Sequence, residues 1–196
     1  MSNSFLITQS LLSDFAWVFR KEDGYADFLR TLRREKKEQS KAMFAGIAFE
    51  EMVTAYANGT PLDEKHKHAA AIREVGDECR GGQFQVRLSR EIEVGGVLFL
   101  AYGVLDCLKA GTIYDIKFST TYEVGKYRDS PQHPMYFHLC PEAHEFVYLI
   151  SDGEWVCRER YTPDIVEPIE YHISNLMKFL ERHDLIDEYA ANWQAQ

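Results

Sequence analysis

The sequence predicts a mixed α/β (α+β) fold in which a central, mostly antiparallel mixed sheet is flanked by helices. Apolar residues recur with helical spacing over the first 58 residues, and their period changes to two from Phe84 onward. An amphipathic helix is predicted at the end of the chain, over residues 164–189. This order of helices, three antiparallel strands, a helix, two strands and a helix favours a sheet with helices packed against it.

The N-terminal part, residues 1–82, is predicted to be mainly helical. Four helices are predicted. The first is capped by Ser10 or Ser13, the second and third cover residues 25–39 and 41–58, and a short fourth one ends near Gly76. The first 58 residues therefore contain no predicted strand.

The remaining part, residues 83–196, is predicted to form the sheet core and the C-terminal helix. Alternating or apolar runs predict strands from Phe84 to the turn at Gly95-Gly96, and then over residues 97–109, 112–119, 145–151 and 155–161. A short helix is predicted at 131–139. No linker or repeat divides the chain, so we expect one domain over residues 1–196.

Composition limits the classes of function. The chain has 45% hydrophobic residues, enough for a real core, and no window approaches the roughly 18 consecutive apolar residues of a membrane span. Its four cysteines are widely spaced and predict free thiols in a reducing cytoplasm. A formal net charge of −9 argues against a protein that coats nucleic acid indiscriminately. The basic stretch RTLRREKKEQSK, residues 30–41, indicates either a solvated helix face or a patch that contacts phosphates.

Two aspartates and a lysine interrupt the apolar stretch GVLDCLKAGTIYDIKFS, residues 103–119. If Ala110-Gly111 forms a two-residue turn, Asp106 lies opposite Asp115, and Lys117 shares their face of the sheet. Two facing carboxylates repel each other, and a hard cation such as Mg²⁺ or Mn²⁺ between them would remove the repulsion. An ordinary Asp/Lys pair on an exposed strand is the alternative interpretation.

Two other segments offer matching side chains. AGIAFEEMV places Glu50 in a predicted helix as a third carboxylate, and PQHPMY places Gln132 and Tyr136 on one face of a short helix. The order and spacing of these segments resemble the PD-(D/E)xK nuclease superfamily, in its RecB-like branch with phage exonucleases and CRISPR-associated nucleases. The similar motifs are ITQSLLSDF (7–15), GIAFE (46–50), GVLDCL (103–108), YDIKFS (114–119) and QHPMY (132–136).

The sequence departs from the pattern of this branch at two places. Glu50 stands where many members carry a metal-binding histidine, and Glu51 is a rival for the same position. The cysteines of the iron–sulfur members are missing, since Ala16-Trp17 stands near the place of the first one. We therefore expect no iron–sulfur cluster.

The resemblance implies a restriction-endonuclease-like core and a Mg²⁺- or Mn²⁺-dependent deoxyribonuclease. Such an enzyme would be an exonuclease of DNA repair, recombination or phage DNA processing, in the cytoplasm of a bacterial cell or phage-infected host. The implied metal ligands are Glu50, Asp106, Asp115 and the main-chain carbonyl of Ile116, and Lys117 would orient the attacking water.

The resemblance also implies the partners and the residues that contact them. DNA, single- or double-stranded, would be bound by Gln132, Tyr136 and Lys126. Gln132 and Tyr136 would position the DNA backbone or Lys117, and the alternative is a surface amide and a helix-packing residue. Tyr122, Tyr127 and Arg128 form either a further contact or an ordinary polar loop. The partners would be DNA and a second copy of the chain or a recombination or replication protein, with no membrane.

Two other functions remain open from the sequence. The chain could be a nuclease-fold protein that has lost cleavage and serves in DNA binding or assembly. It could also be a hydrolase of another substrate that acts through His133, His138 or His144, although no nucleophile elbow or HExxH motif supports this.

Overall fold

The computed structural model describes residues 4–36 and 38–195. In chain order, the helices and strands of these residues are β1 (Phe5–Thr8), α1 (Gln9–Trp17), α2 (Gly24–Leu32), α3 (Lys41–Ala57), α4 (Ala69–Cys79), β2 (Gln83–Val94), β3 (Val97–Lys109), β4 (Thr112–Phe118), α5 (Gln132–Leu139), β5 (Glu145–Ser151), β6 (Val156–Tyr161), α6 (Ile169–Arg182) and α7 (Ile186–Asn192). No helix among them is long and apolar enough to cross a membrane.

The strands form one mixed sheet, as predicted. Its order is β1-β3-β4-β5-β6, with β2 paired to β3 outside this path. The β1–β3 and β4–β5 pairs are parallel, and the β2–β3, β3–β4 and β5–β6 pairs are antiparallel. The fold is therefore a mixed, mostly antiparallel sheet with helices on both faces.

Strand β3 shares one of its edges between two neighbours. β2 pairs with β3 over its whole length, from Val97 to Leu108, and so occupies one edge. On the other edge, β1 pairs with residues 99–102 and β4 pairs with residues 107–109. Within the described residues, no strand pairs with residues 103–106 on this second edge. We call this segment the β3 gap.

Two hydrophobic cores cover the two faces of the sheet. The first core contains buried side chains of α1, α2, α5, α6 and α7, among them Leu11, Phe28 and Leu176. The second core lies under α3 and α4 and includes Phe49 and Ile72. Because side chains alternate along a strand, neighbouring residues of β4 contribute to different cores.

The prediction that the first 58 residues contain only helices was wrong at β1. Phe5–Thr8 forms a strand that pairs with β3. A run of four apolar or β-branched residues is compatible with either a strand or a helix, so the pattern alone did not distinguish them. The predicted caps Ser10 and Ser13 were also wrong. Thr8 is the N-cap of α1, and its Oγ1 accepts a hydrogen bond of 3.3 Å from the amide of Leu11.

The predicted C-terminal helix over residues 164–189 is two helices. The helix is interrupted at residues 183–185, where Asp184 has a left-handed φ of +56°. The apolar periodicity continues across the break and therefore did not reveal it. In the N-terminal part, α4 extends past Gly76 to Cys79.

The basic stretch at residues 30–41 lies largely outside a helix, since α2 ends at Leu32 instead of residue 39. A single solvated helix face is therefore the wrong interpretation of the stretch, in which Lys37 lies outside the described residues. Arg33 pairs with Glu188 at 2.6 Å, and the guanidinium of Arg34 lies 4.3 Å from the ring centre of Trp193. These two cations therefore fasten the segment to α7 and the C-terminal end.

The β3–β4 hairpin has the predicted register. Lys109 pairs with Thr112, Leu108 with Ile113, and the pairing ends at Cys107 and Tyr114, one step before the two aspartates. Ala110 and Gly111 have φ values of +49° and +79°, the positive values that a type I′ turn requires at both central residues. The turn therefore places Asp106 and Asp115 side by side.

Replacing Ala110 by Asn is expected to stabilise the protein. Left-handed backbone costs an alanine about 1 kcal/mol, whereas asparagine tolerates it, so Ala110→Asn should raise the free energy of unfolding by about 0.5–1 kcal/mol. Urea unfolding would measure the change. Ala110→Val should lower the same free energy, and equal stability of the two variants would contradict the assigned turn.

Candidate functional site

Helix α5 covers the β3 gap. The hydroxyl of Tyr136 donates a 2.8 Å hydrogen bond to the main-chain carbonyl of Val104, which has no strand partner on this edge. Gly103 permits this approach, since a Cβ there would lie 2.6 Å from Cε1 of Tyr136. The glycine of GVLD and the tyrosine of QHPMY therefore form one contact that seats α5 on the sheet.

At the end of the gap, the side chain of Asp106 replaces a backbone hydrogen-bond partner for β4. Its Oδ2 accepts a 2.9 Å hydrogen bond from the amide of Ile116 in β4. Burial raises the pKa of the Asp106 carboxyl well above its ordinary value, and the charge of Asp115 raises it further, while Lys117 partly offsets both. Asp106 is thus a partly buried carboxylate that is tied to β4 through Oδ2.

Asp115 is held between an amide and an ammonium group. Its Oδ1 accepts a 2.5 Å hydrogen bond from Nε2 of Gln132, and its Oδ2 lies 2.7 Å from Nζ of Lys117. The second contact is a close ion pair, so the ammonium group of Lys117 compensates the charge at Oδ2. Burial raises the pKa of Asp115, and the charge of Lys117 acts against this shift.

Lys117 connects this buried group to the surface. Its side chain is 30% exposed, whereas that of Asp115 is 2% exposed. Burial alone would lower the pKa of Lys117, but the charges of Asp115 and Asp106 more than offset it and hold the pKa above its ordinary value. Lys117 therefore carries a positive charge at neutral pH.

Glu50 approaches the group from α3, which packs on the second core through Phe49 and Val53. Burial raises the pKa of Glu50, the charge of Asp115 raises it further, and Lys117 lowers it. Its neighbour Glu51 is exposed. The structure thus favours Glu50 as the third carboxylate of the site.

Gln85 is a residue of the site that the sequence analysis missed. It lies in β2 across from Asp106, between the pairs Phe84–Cys107 and Val86–Leu105. Its Nε2 donates a 2.7 Å hydrogen bond to Oε1 of Glu50, and its φ of +53° is uncommon for a residue other than glycine. Alternation in β2 indicated only a polar position, so no sequence signal distinguished it.

The donor set suits a hard divalent cation. Glu50, Asp106 and Asp115 are carboxylates whose pKa values are all raised, and oxygen ligands of this kind are the ones that Mg²⁺ and Mn²⁺ prefer. Within the described residues, however, no group of three or more His, Cys, Asp or Glu side chains already has an arrangement that could hold a metal ion. The amide of Ile116 lies beside Asp106, and the predicted role of its carbonyl as a ligand stays a prediction.

The predicted substrate contacts separate into buried and exposed residues. Gln132 and Tyr136 are 6% and 5% exposed and bind Asp115 and Val104 within the protein. In this structure both therefore support the site from behind, and their predicted contact with DNA stays a prediction. Lys126 is exposed and lies 5.9 Å from the ring centre of Tyr127, where it can reach a ligand.

The polar segment 119–131, which carries Lys126, is anchored to the sheet. The buried carboxylate of Glu159 accepts hydrogen bonds from the hydroxyl of Tyr122 at 2.5 Å and the amide of Gly125 at 2.8 Å. Tyr127 stacks on Tyr148 with ring centres 4.4 Å apart. Tyr122 and Tyr127 therefore have structural roles, and Glu159 is a second residue that the sequence analysis missed.

The three histidines proposed for another hydrolase lie in different surroundings. His133 is 1% exposed and stacks on Tyr161 in the first core, with ring centres 4.2 Å apart. His138 is half-buried, and the ring of His144 lies against Gly111 at the hairpin turn. Burial lowers the pKa of His133 to about 3, so this imidazole is neutral in the folded protein.

Comparison with known proteins supports the fold alone. The sequence matches no protein-family model, and a search of curated proteins gives no match either. The chain is similar to the crystal structure of a protein named SSO0001, with a TM-score of 0.50 and 14% identity. The alignment covers 91% of this chain and 78% of that one.

Adding a methyl group at Gly103 is expected to destabilise the protein. The new Cβ would overlap Tyr136, so Gly103→Ala should lower the free energy of unfolding by about 1–3 kcal/mol. Chemical denaturation measures this value. Gly46→Ala is the matched control, because nothing lies within 4 Å of a Cβ at this position of α3, and it should raise stability by about 0.5–1 kcal/mol.

His133 is expected to make the protein sensitive to acid. Below its ordinary value of 6.5, the unfolded chain binds a proton that folded His133 does not accept until pH about 3. Stability should therefore fall as the pH is lowered from about 6.5 to about 3. By linkage, the free energy of unfolding of the wild type should fall by roughly 3 kcal/mol more than that of His133→Phe between pH 7 and pH 4. Identical urea midpoints of both proteins across this range would refute the assignment.

Proposed function

We propose that the protein is a metal-dependent nuclease that hydrolyses phosphodiester bonds of DNA. The observation that carries the proposal is the charged group at the β3 gap, where the buried Asp115 and the partly buried Asp106 and Lys117 share one face of the sheet. Burying such groups is costly, and a purely structural pair could be replaced by apolar residues at little loss. A function in catalysis accounts for their presence.

Lys117, Gln132 and Gln85 have different roles in the proposed site. Lys117 is protonated and reaches solvent, so it can stabilise negative charge on an attacked phosphate and orient a water, but it is not a general base. Gln132 holds Asp115 in place through Oδ1. Gln85 holds Glu50 in the same way.

Glu50, Asp106 and Asp115 would hold a Mg²⁺ or Mn²⁺ ion, with the Ile116 carbonyl as a further oxygen ligand. The ion, when bound, supplies positive charge to a phosphate oxygen and lowers the pKa of a water. A cleft of about 540 Å³ on the surface is lined by Glu50, Glu51 and Gln85, and it gives access from solvent to the carboxylate of Glu50.

The resemblance to the RecB-like branch supports the finer part of the proposal. The order of the motifs around Glu50, Asp106, Asp115, Lys117 and Gln132 is that of its exonucleases, so DNA repair, recombination or phage DNA processing is the proposed setting. The structural support comes from the side chains of these motifs, which meet at one place although they span more than 80 positions of the chain.

A second candidate is a nuclease-fold protein without cleavage, which binds DNA or assembles with other proteins. The ion pair of Lys117 with Asp115 favours this alternative, because it already uses the carboxylate that a metal ion would need. The two candidates differ in whether a divalent cation produces cleavage.

Cleavage should depend on a divalent cation and on the acidic group. The test is incubation with linear, circular, single-stranded and double-stranded DNA, and with RNA, in Mg²⁺, Mn²⁺ or chelator. Asp106→Asn and Lys117→Met should each reduce the rate by at least about a hundredfold, since the first weakens the proposed metal site and the second removes the positive charge that acts on the phosphate. Asp106→Asn should also raise the melting temperature, because an amide oxygen can still accept from Ile116 without a buried charge.

Glu51→Gln is the control, since Glu51 is the exposed neighbour of Glu50 and should cut at the wild-type rate. Cutting by Asp106→Asn at the wild-type rate would refute the catalytic assignment. If the wild type cuts none of these substrates with either cation, the non-cleaving alternative holds.

A further inference from the structure

A cleft between α1 and α6 combines exposed aromatic rings with positive charge. This α1–α6 cleft has a volume of about 620 Å³, and the lining residues that matter are Phe15, Phe19, Arg20, Lys178, Phe179 and Arg182. None of its lining residues, all of them within the described part of the chain, is acidic. This is unusual for a chain with a net charge of −9.

The aromatic part of the cleft presents a ring to solvent. Phe19 is 80% exposed and meets Phe179 edge to face, with ring centres 5.8 Å apart. Phe179 also contacts Phe15, with ring centres 5.2 Å apart, and is itself 6% exposed. Phe19 therefore rests on a fixed aromatic support while most of its own surface stays available for stacking.

The charged part of the cleft lies on one stripe of α6. Lys178 and Arg182 are four residues apart, so they share a helix face, and their like charges repel each other. Neither forms an ion pair with another group in residues 4–36 or 38–195. A bound anion would relieve this repulsion.

The cleft adjoins a second cavity of about 660 Å³, which shares Phe15 and Arg20 with it and extends to Arg128 and Ser130. The carboxylates of Asp129, Asp164 and Glu167 also line this second cavity, and Asp129 pairs with Arg20 at 2.9 Å. Of the two cavities, the α1–α6 cleft is therefore the one whose lining carries no carboxylate.

We propose that the α1–α6 cleft binds a single-stranded segment of nucleic acid, with a base stacked on Phe19 and phosphates beside Lys178 and Arg182. A flat ring system joined to regularly spaced negative charges matches both halves of the cleft. The cleft would be a second place at which the proposed nuclease contacts its substrate. The choice of nucleic acid over an acidic peptide rests on that proposed function.

The aromatic half is tested by binding of a fluorescent 20-residue oligothymidylate to the full chain, measured by fluorescence anisotropy in chelator so that no cleavage occurs. Phe19→Ala should weaken binding about tenfold, the loss expected for one stacked base. Phe19→Tyr keeps the ring and should bind like the wild type. Phe19→Leu should bind like Phe19→Ala, and wild-type affinity of the leucine variant would overturn the stacking contact.

The charged half is tested by the salt dependence of the same binding. Replacing both Lys178 and Arg182 by Ala should reduce the slope of log K against log salt by about 1.4, since each phosphate contact to a single strand contributes about 0.7. The double variant Lys65→Ala/Lys67→Ala removes the same charge from another exposed segment and should leave the slope unchanged. Equal slopes for the two double variants would overturn the proposal.

Failure of this inference and failure of the proposed function are distinguishable. Oligothymidylate binding that depends on Phe19, in a protein that cuts nothing, supports the cleft and refutes the nuclease. Cleavage with wild-type KM for a long single strand in Phe19→Ala refutes the cleft and leaves the nuclease intact. An acidic peptide that binds through Phe19 and Lys178 while oligothymidylate does not would replace nucleic acid as the ligand.

Discussion

The structure of the candidate site depends on the way β3 divides one edge between β1 and β4. Four residues of a central strand are left without a strand partner on that side, and their polar backbone groups need other partners. Tyr136 supplies one to the carbonyl of Val104. Across the gap, the amide of Ile116 in β4 also has no β3 backbone partner, and it donates to the carboxylate of Asp106. The gap is thus the reason that a helix and an acidic side chain enter the sheet at this place.

The charges at the gap stabilise one another only in part. Asp106, Asp115 and Glu50 each have a raised pKa because of burial, and the charge of Asp115 raises the pKa values of Asp106 and Glu50 further. Lys117 offsets part of this repulsion through its ion pair with Asp115. A buried group that is only partly compensated lowers stability, and such costs are typical of functional sites.

The two cores position the site from opposite faces of the sheet. Packing of α3 on the second core brings Glu50 to the gap, and packing of α5 on the first core brings Gln132 to Asp115. The same first core supports α1 and α6, whose outer surfaces form the α1–α6 cleft. One arrangement of helices thus serves both the acidic site and the second surface.

The sequence by itself determined the features that depend on neighbouring residues. The period of two located β2 to β6, and the Ala110-Gly111 turn set the register that puts Asp106, Asp115 and Lys117 on one face, because a two-residue turn leaves no freedom of pairing. Motif order also indicated Gln132 and Tyr136, although as residues that contact DNA.

Only the tertiary structure decided what depends on distant parts of the chain. β1 is a strand because β3 offers it an edge about 90 residues away, and the helix break at Asp184 leaves no mark in the apolar pattern. Burial of Gln132 and Tyr136, the contact of Gln85 with Glu50, and the choice of Glu50 over Glu51 follow from packing between elements. Local propensity carries no information about such contacts, since their free energy arises only when both elements are in place.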